Sequence, residues 1–267
     1  MTEASALPAP SAVPETRQMS PDDVIYALKA GLRDFRRDPA LGLFFGFFYA
    51  IGGFGIVMLL FVMEWAWLAV PLAVGFPLIG PFAAVGLYEI SRRIEASESW
   101  TASDIIGVMW QQTDRQMSLM AWVVIVFFLF WTFFAHMLFA LFIGPSFYTN
   151  ILTSYAFLLQ PEGLMLLLVG TLFGAVFAAV LFSLTVVSLP LLLEKELDFV
   201  TAMITSVSVV RDNPKVMARW ALVVAALTFA AMLPAFLGLI IVFPVLGHAT
   251  WHIYRRALND PEAPAAE

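Results

Sequence analysis

Phe243 to Arg256 reads FPVLGHATWHIYRR, and an earlier stretch, Phe76 to Arg93, reads FPLIGPFAAVGLYEISRR. In both, an apolar run meets a Phe-Pro pair, then two apolar residues and a glycine. Tyr88 follows Gly80, and Tyr254 follows Gly247, by about two helical turns, and each tyrosine precedes paired arginines. This is how a membrane helix leaves the bilayer: aromatics suit the interface, and Arg92, Arg93, Arg255 and Arg256 suit the headgroups. A weaker third copy, SLPLLLEKELD, starts at Ser188 and closes another apolar run.

Composition agrees. Hydrophobic residues make up 61% of the 267 and charged residues 13%, against about 45–50% and about 25% in soluble domains. Runs long enough to span hydrocarbon make this a polytopic membrane protein. The net charge of −6 says less than where the charges sit. With no cysteine, disulfides, thiolate metal sites, iron–sulfur clusters and CxxCH haem attachment are excluded. Residues 1–19 carry Pro8, Pro10 and Pro14 without an apolar core, which predicts a disordered tail rather than a signal peptide.

Ser20-Pro21-Asp22-Asp23 predicts a helix start, followed by a helix to about Arg37. Ile25, Leu28, Leu32 and Phe35 share one face, and Lys29, Arg33 and Arg36 another, as in a helix lying on a membrane surface. Thr101 to Asp104 is a second capping box, and Asp198 to about Val210 a third short helix. Six spans are predicted at about 40–63, 65–88, 119–143, 164–193, 216–234 and 236–254. The last two come from one apolar block, Val216 to Tyr254, which is nearly twice the hydrocarbon thickness as a single helix and divides near Pro234. Gly42 with Gly46 and Gly170 with Gly174 form GxxxG pairs suited to close helix contact. Pro71, Pro77 and Pro81 kink the second span, and 144–163 suits the interface. Residues 20–257 form one membrane domain and 258–267 a tail.

The three short helices align: Asp23, Asp104 and Asp198, then Ala27, Val108 and Ala202. Each precedes two spans, so the expected fold is all-α, six transmembrane helices in three hairpins, each hairpin preceded by a cytoplasmic surface helix. With six spans, all 14 basic residues fall on one side. The positive-inside rule then places both termini in the cytoplasm.

Few residues invite chemistry. His248 and His252 lie four apart on one helix face, a spacing that can bind metal, and Glu89 at comparable depth could supply a third ligand. The alternative is that imidazoles at a helix end satisfy carbonyls and headgroups. His136 is the one ionisable residue inside a span away from an end, a functional candidate unless it bonds a neighbouring helix. Glu64 and Glu162 are the outer acids, which either attract cations or cap turns. Thr171, Ser183, Thr185 and Ser188 either line a path or bond their own helix backbone. The tryptophans suit an aromatic belt. No phosphate loop, GxSxG elbow or HExxH motif is present, so enzymatic activity is not expected.

Taken together, SPDDVIYALKAGLRDFRRDP, GPFAAVGLYEISRR, PEGLMLLLVGT, SLPLLLEKELDFVTAM and PVLGHATWHIYR resemble a bacterial family of uncharacterised six-span integral membrane proteins. The resemblance covers roughly residues 20–256. Members are sometimes labelled cytochrome c oxidase subunit I. A catalytic haem–copper subunit needs about twelve spans and six histidine ligands; this chain has three histidines. The resemblance carries no catalytic residue and no cofactor, and hints at a respiratory-complex association. The expected role is a non-enzymatic inner-membrane scaffold or accessory protein, its partners the lipid bilayer and respiratory oxidase subunits, not nucleic acid. A small-solute or ion permease is the alternative, and metal or haem binding through His248 and His252 a third.

Overall fold

The computed structural model describes residues 12–61, 83–113, 116–143 and 160–259. It is an all-α bundle. Helix α1 (Pro21–Arg37) starts at a complete capping box between Ser20 and Asp23, with Pro21 in the first turn, where its missing N–H costs nothing. Helix α2 is Pro39–Phe61, and residues 83–95 form α3. Helix α4 (Ala102–Thr113) starts at the Thr101–Asp104 box, and α5 is Gln116–Ile143. Then come α6 (Pro161–Thr185), α7 (Ser188–Glu194), α8 (Phe199–Asp212), α9 (Pro214–Met232) and α10 (Leu239–Ala257).

Helix α8 departs from the expected alignment at its start. Asp198 is the N-cap itself, accepting from the Thr201 N–H, whereas Asp23 and Asp104 sit three residues inside their caps. Helix α8 therefore lacks one turn, 14 residues against 17 in α1. Beyond that turn the registers agree in burial: Ala202, Thr205, Ser206 and Val209 are buried, as are Ala27, Ala30, Gly31 and Asp34.

Prolines set the breaks in the apolar helices. The fourth expected span divides at Val186 and Val187, because Pro190 has no N–H for the Val186 carbonyl and its ring crowds it. At this break the Val187 N–H donates to Ser206 Oγ at 3.1 Å. The final apolar block turns between Met232 and Leu239, around Pro234, with Ala235 and Phe236 at positive φ. Among the described residues, Gln116–Phe142, Pro161–Glu194 and Pro214–Met232 are long and apolar enough to cross a membrane, and Pro39–Gly55 is a shorter apolar helix. The expected span 65–88, Glu64, the three kinking prolines and 144–159 lie wholly or largely outside the described residues. The expected span 236–254 falls on α10, which is not among the crossing candidates: its C-terminal half carries His248, His252 and the arginine pair.

Helix α10 is the element on which α1 and α2 pack. Helix α1 faces its C-terminal half in antiparallel fashion, from Asp23 near Arg256 to Gly31 against Val245 and Ala249. Helix α2 continues along its N-terminal half, Gly42 beside Pro244 and Gly53 beside the Phe236 ring. Gly46 comes directly against the Ile240 carbonyl, the one that Pro244 leaves without an N–H. The contacts at Gly31 and Gly46 need glycine, since any side chain would meet backbone. The buried face of α1 is thus Val24, Ala27, Ala30, Gly31, Asp34 and Phe35. The small residues of α1 dock on protein, and Ile25, expected to sit in the apolar face, is half exposed.

Part of each expected tail is ordered. Glu15–Thr16 (β1) pairs antiparallel with Leu258–Asn259 (β2), and Arg17 N–H donates to the Ala257 carbonyl. Asn213 holds the same segment by accepting from the Met19 N–H at 2.7 Å and donating to the Arg17 carbonyl at 2.9 Å. Residues before Ala12 and after Asn259 lie outside the described residues.

Candidate functional site

The C-terminal half of α10 carries the polar side chains, and burial decides what they do. Residues 248 and 252 point to one face four apart, and that face meets α1 and α3. In an antiparallel pair both side chains lean toward their own helix N-terminus, which brings Asp34 of α1 up to His252 of α10. His252 Nε2 lies 2.7 Å from Asp34 Oδ2. Ser91 of α3 donates its hydroxyl to the same oxygen at 2.9 Å, and Ser91 Oγ lies 2.9 Å from His248 Nδ1. Asp34, Ser91 and His248 are fully buried.

Counting protons assigns the roles. The carboxylate has none, so Ser91 O–H and His252 Nε2–H both donate to it. The serine hydrogen is then used, so His248 donates its Nδ1–H to the serine oxygen. That leaves His248 Nε2 and Asp34 Oδ1 buried without hydrogen-bond partners, with Arg33 Nε 3.8 Å from the latter. Burial pushes the Asp34 carboxyl up. The hydrogen bond and charge of His252, with the Ser91 bond, outweigh it and hold the group below its ordinary range.

Aspartate, serine and histidine meet here, but not in the order that activates a nucleophile. In a hydrolytic triad the histidine stands between serine and carboxylate and takes the serine proton. Here the serine stands between them, gives its proton to the carboxylate, and is wholly buried. The arrangement ties helices together.

A second ring of ion pairs surrounds this core. Glu95 Oε2 accepts from Arg255 Nε at 3.0 Å, with Glu95 Oε1 3.7 Å from His252 Nδ1. Arg255 also reaches Glu194 of α7 at 3.4 Å, and Tyr254 donates its hydroxyl to the same carboxylate. Arg256 lies over the Tyr26 ring, 4.0 Å from its centroid. Arg255 and Arg256, expected among headgroups, thus pair with groups of the protein itself.

Glu89 is bonded by the two arginines that follow it on α3. Arg92 Nε donates to it at 2.8 Å and Arg93 Nε also bonds it, both from the same helix at the i+3 and i+4 positions. Among the described residues no group of three or more histidine, aspartate or glutamate side chains is arranged to hold a metal ion. The sequence reading missed Asp34 and Ser91. A signal for Asp34 was present: it falls on the Ala27, Ala30 and Gly31 face of α1, away from Lys29, Arg33 and Arg36.

The other candidates are local. His136 is exposed on α5 and gives its Nδ1–H to the Thr132 carbonyl at 2.8 Å. Ser183, Thr185 and Ser188 each donate to the carbonyl four residues earlier, at 2.7, 2.8 and 2.6 Å. Glu162 is exposed in the first turn of α6. Below the polar core a cavity of about 500 Å³ lies among α2, α3, α5, α6, α7, α9 and α10. Its polar lining is Tyr49, Tyr88, Thr185, Thr228 and Thr250, and it is otherwise apolar.

Residues 68–194, a little under half of the chain, match the model of a family described as "Predicted integral membrane protein (DUF2189)". With the apolar helices above, that decides the class. The chain is an integral membrane protein. No curated protein and no solved structure matches it.

Proposed function

We propose that the protein is a non-enzymatic scaffold or accessory protein of the bacterial inner membrane, associated with a respiratory oxidase. The observation that carries this is the closed polar core. Asp34, Ser91, His248 and His252 bond one another across α1, α3 and α10, and the surrounding acids and arginines extend the tie to α7. Such a core fixes helices and exposes no reacting group. The proposed topology is six spans with both termini in the cytoplasm, supported by the gathering of basic residues. A threefold repeat is supported by the capped helices α1, α4 and α8, each leading into an apolar helix. Oxidase association rests on the labels of similar family members.

The test is to tag the C-terminus, solubilise native membranes gently, and record the visible spectrum with the co-purifying proteins. Oxidase subunits and an a-type haem signal are expected. A colourless protein that purifies alone, with oxidase content unchanged on deletion, overturns the proposal. The cavity favours a second reading, a small-solute or ion permease. Among the described residues its lining contains no aspartate, glutamate, lysine, arginine or histidine, and Thr185 and Thr250 bond their own helix carbonyls. His136 is not part of it. Flux in reconstituted vesicles that persists in H136L would remove that histidine from any transport role.

A further inference from the structure

Helices α1 and α2 bury the same side of the chain against α10, so their outward faces follow one another across Asp38. On α1 that face carries Lys29, Arg33, Arg36 and Arg37, all exposed, with the Arg33 side chain 68% accessible. On α2 it carries Phe44, Phe47 and Ile51, at 60%, 55% and 54% exposure. The spacing of three and four residues runs on from one set to the other, so four cations stand at the head of an aromatic and aliphatic stripe. The change comes at Pro39, where the apolar helix begins.

These cations differ from the arginine pairs that end α3 and α10. Arg92, Arg93, Arg255 and Arg256 are held by acids or a ring of the protein itself. Among the described residues, Lys29, Arg36 and Arg37 have no hydrogen bond or ion pair, and Arg33 has only the buried Asp34 oxygen at 3.8 Å. We infer that Lys29, Arg33, Arg36 and Arg37 form a binding site for an anionic phospholipid, its phosphate on the cations and its chains along Phe44, Phe47 and Ile51. A soluble polyanion would satisfy the cations and make no use of the stripe. A membrane leaflet offers anion and hydrocarbon together, in that order along the chain.

The test uses the full chain purified in mild detergent with equimolar phosphatidylglycerol and phosphatidylcholine, the retained lipid being counted by native mass spectrometry. The wild type retains phosphatidylglycerol in preference, and raised salt weakens that preference. In K29Q/R33Q/R36Q/R37Q the preference collapses, by about fivefold for each cation removed, with the melting temperature unchanged. If that variant fails to fold, R33Q/R36Q carries the test with a partial loss. K215Q/R219Q, which neutralises two exposed cations at the start of α9, retains the preference. A wild type without preference, a folded quadruple variant that keeps it, or an equal loss in K215Q/R219Q overturns the assignment.

Discussion

The α1–α10 contact and the α5–α6 contact are built by opposite means. Helix α1 meets α10 through backbone at Gly31 and through a buried carboxylate that two elements share. Helix α5 meets α6 through ring volume: Trp131, Phe134, Phe173 and Phe177, with Phe134 and Phe177 centroids 5.5 Å apart. The first contact has one geometry that satisfies its hydrogen bonds. The second has many that fill space about equally well, as expected where lipid and side chain are equally apolar. The polar contact therefore specifies the fold, and its disturbance has the larger effect.

The sharpest break is at Asp34. D34A leaves His252 and Ser91 with buried donors and no acceptor, and each buried donor left unsatisfied costs about 1–3 kcal/mol. Thermal unfolding in detergent is the measurement, with F134L as the counterpart in the apolar contact, expected to cost about 1 kcal/mol.

Acid separates the two contacts in the wild type. The Asp34 carboxyl is held below its ordinary value of 3.8. The stability it contributes is present above that value and is lost as pH falls through the lowered folded value. D34N starts less stable and shows a flatter profile over the same window. Equal slopes in wild type and D34N would remove Asp34 as the source.

Next in size is Gly31. A Cβ there would lie 2.5 Å from Ala249 N and 2.7 Å from the Val245 carbonyl, both backbone. G31V must push α1 off α10, at about 1–3 kcal/mol or more, and it loosens the histidine core as well. Protease nicking at the α1–α2 junction should rise with it.

Much of this was legible in the sequence, for local reasons. Ser20 with Asp23 and Thr101 with Asp104 form helix starts from their own residues alone, and Pro234 marks a turn that the length of the apolar block demanded. Gly42 and Gly46 were readable as a notch, though the helix filling it was not. Asp34 was hidden by its neighbours, since in the run Leu32-Arg33-Asp34-Phe35-Arg36-Arg37 a lone acid looks solvated. Two arginines within one turn bond Glu89, which depth along a helix does not reveal. The β1–β2 pair joins residues more than two hundred positions apart through two residues on each side, and no periodicity announces it.

A smaller effect is due at Asp198, which caps α8 outside the core. D198A should lower the melting temperature by less than G31V does, since the helix N–H groups it uncaps can turn to water. The carboxyl is held below its ordinary range by the Thr201 hydroxyl and backbone N–H. Its contribution also fades on acidification, so pH profiles of D198A and D34N need comparison before any acid effect is given to one site.

The smallest effect tests the apolar side of the comparison. Gly170 and Gly174 share one GxxxG pair, yet a Cβ at Gly170 meets nothing within 4 Å, whereas at Gly174 it lies 3.1 Å from the Trp131 ring. If α5–α6 is held by ring volume alone, only the glycine under a ring matters. G170A is then within about 0.5 kcal/mol of wild type, or slightly more stable, since alanine suits a helix interior better than glycine. G174A is the less stable of the two, because Trp131 must shift by a few tenths of an ångström. Equal losses would mean that a closer, sequence-specific helix contact covers Gly170, and the distinction between the two regions would fail at that point.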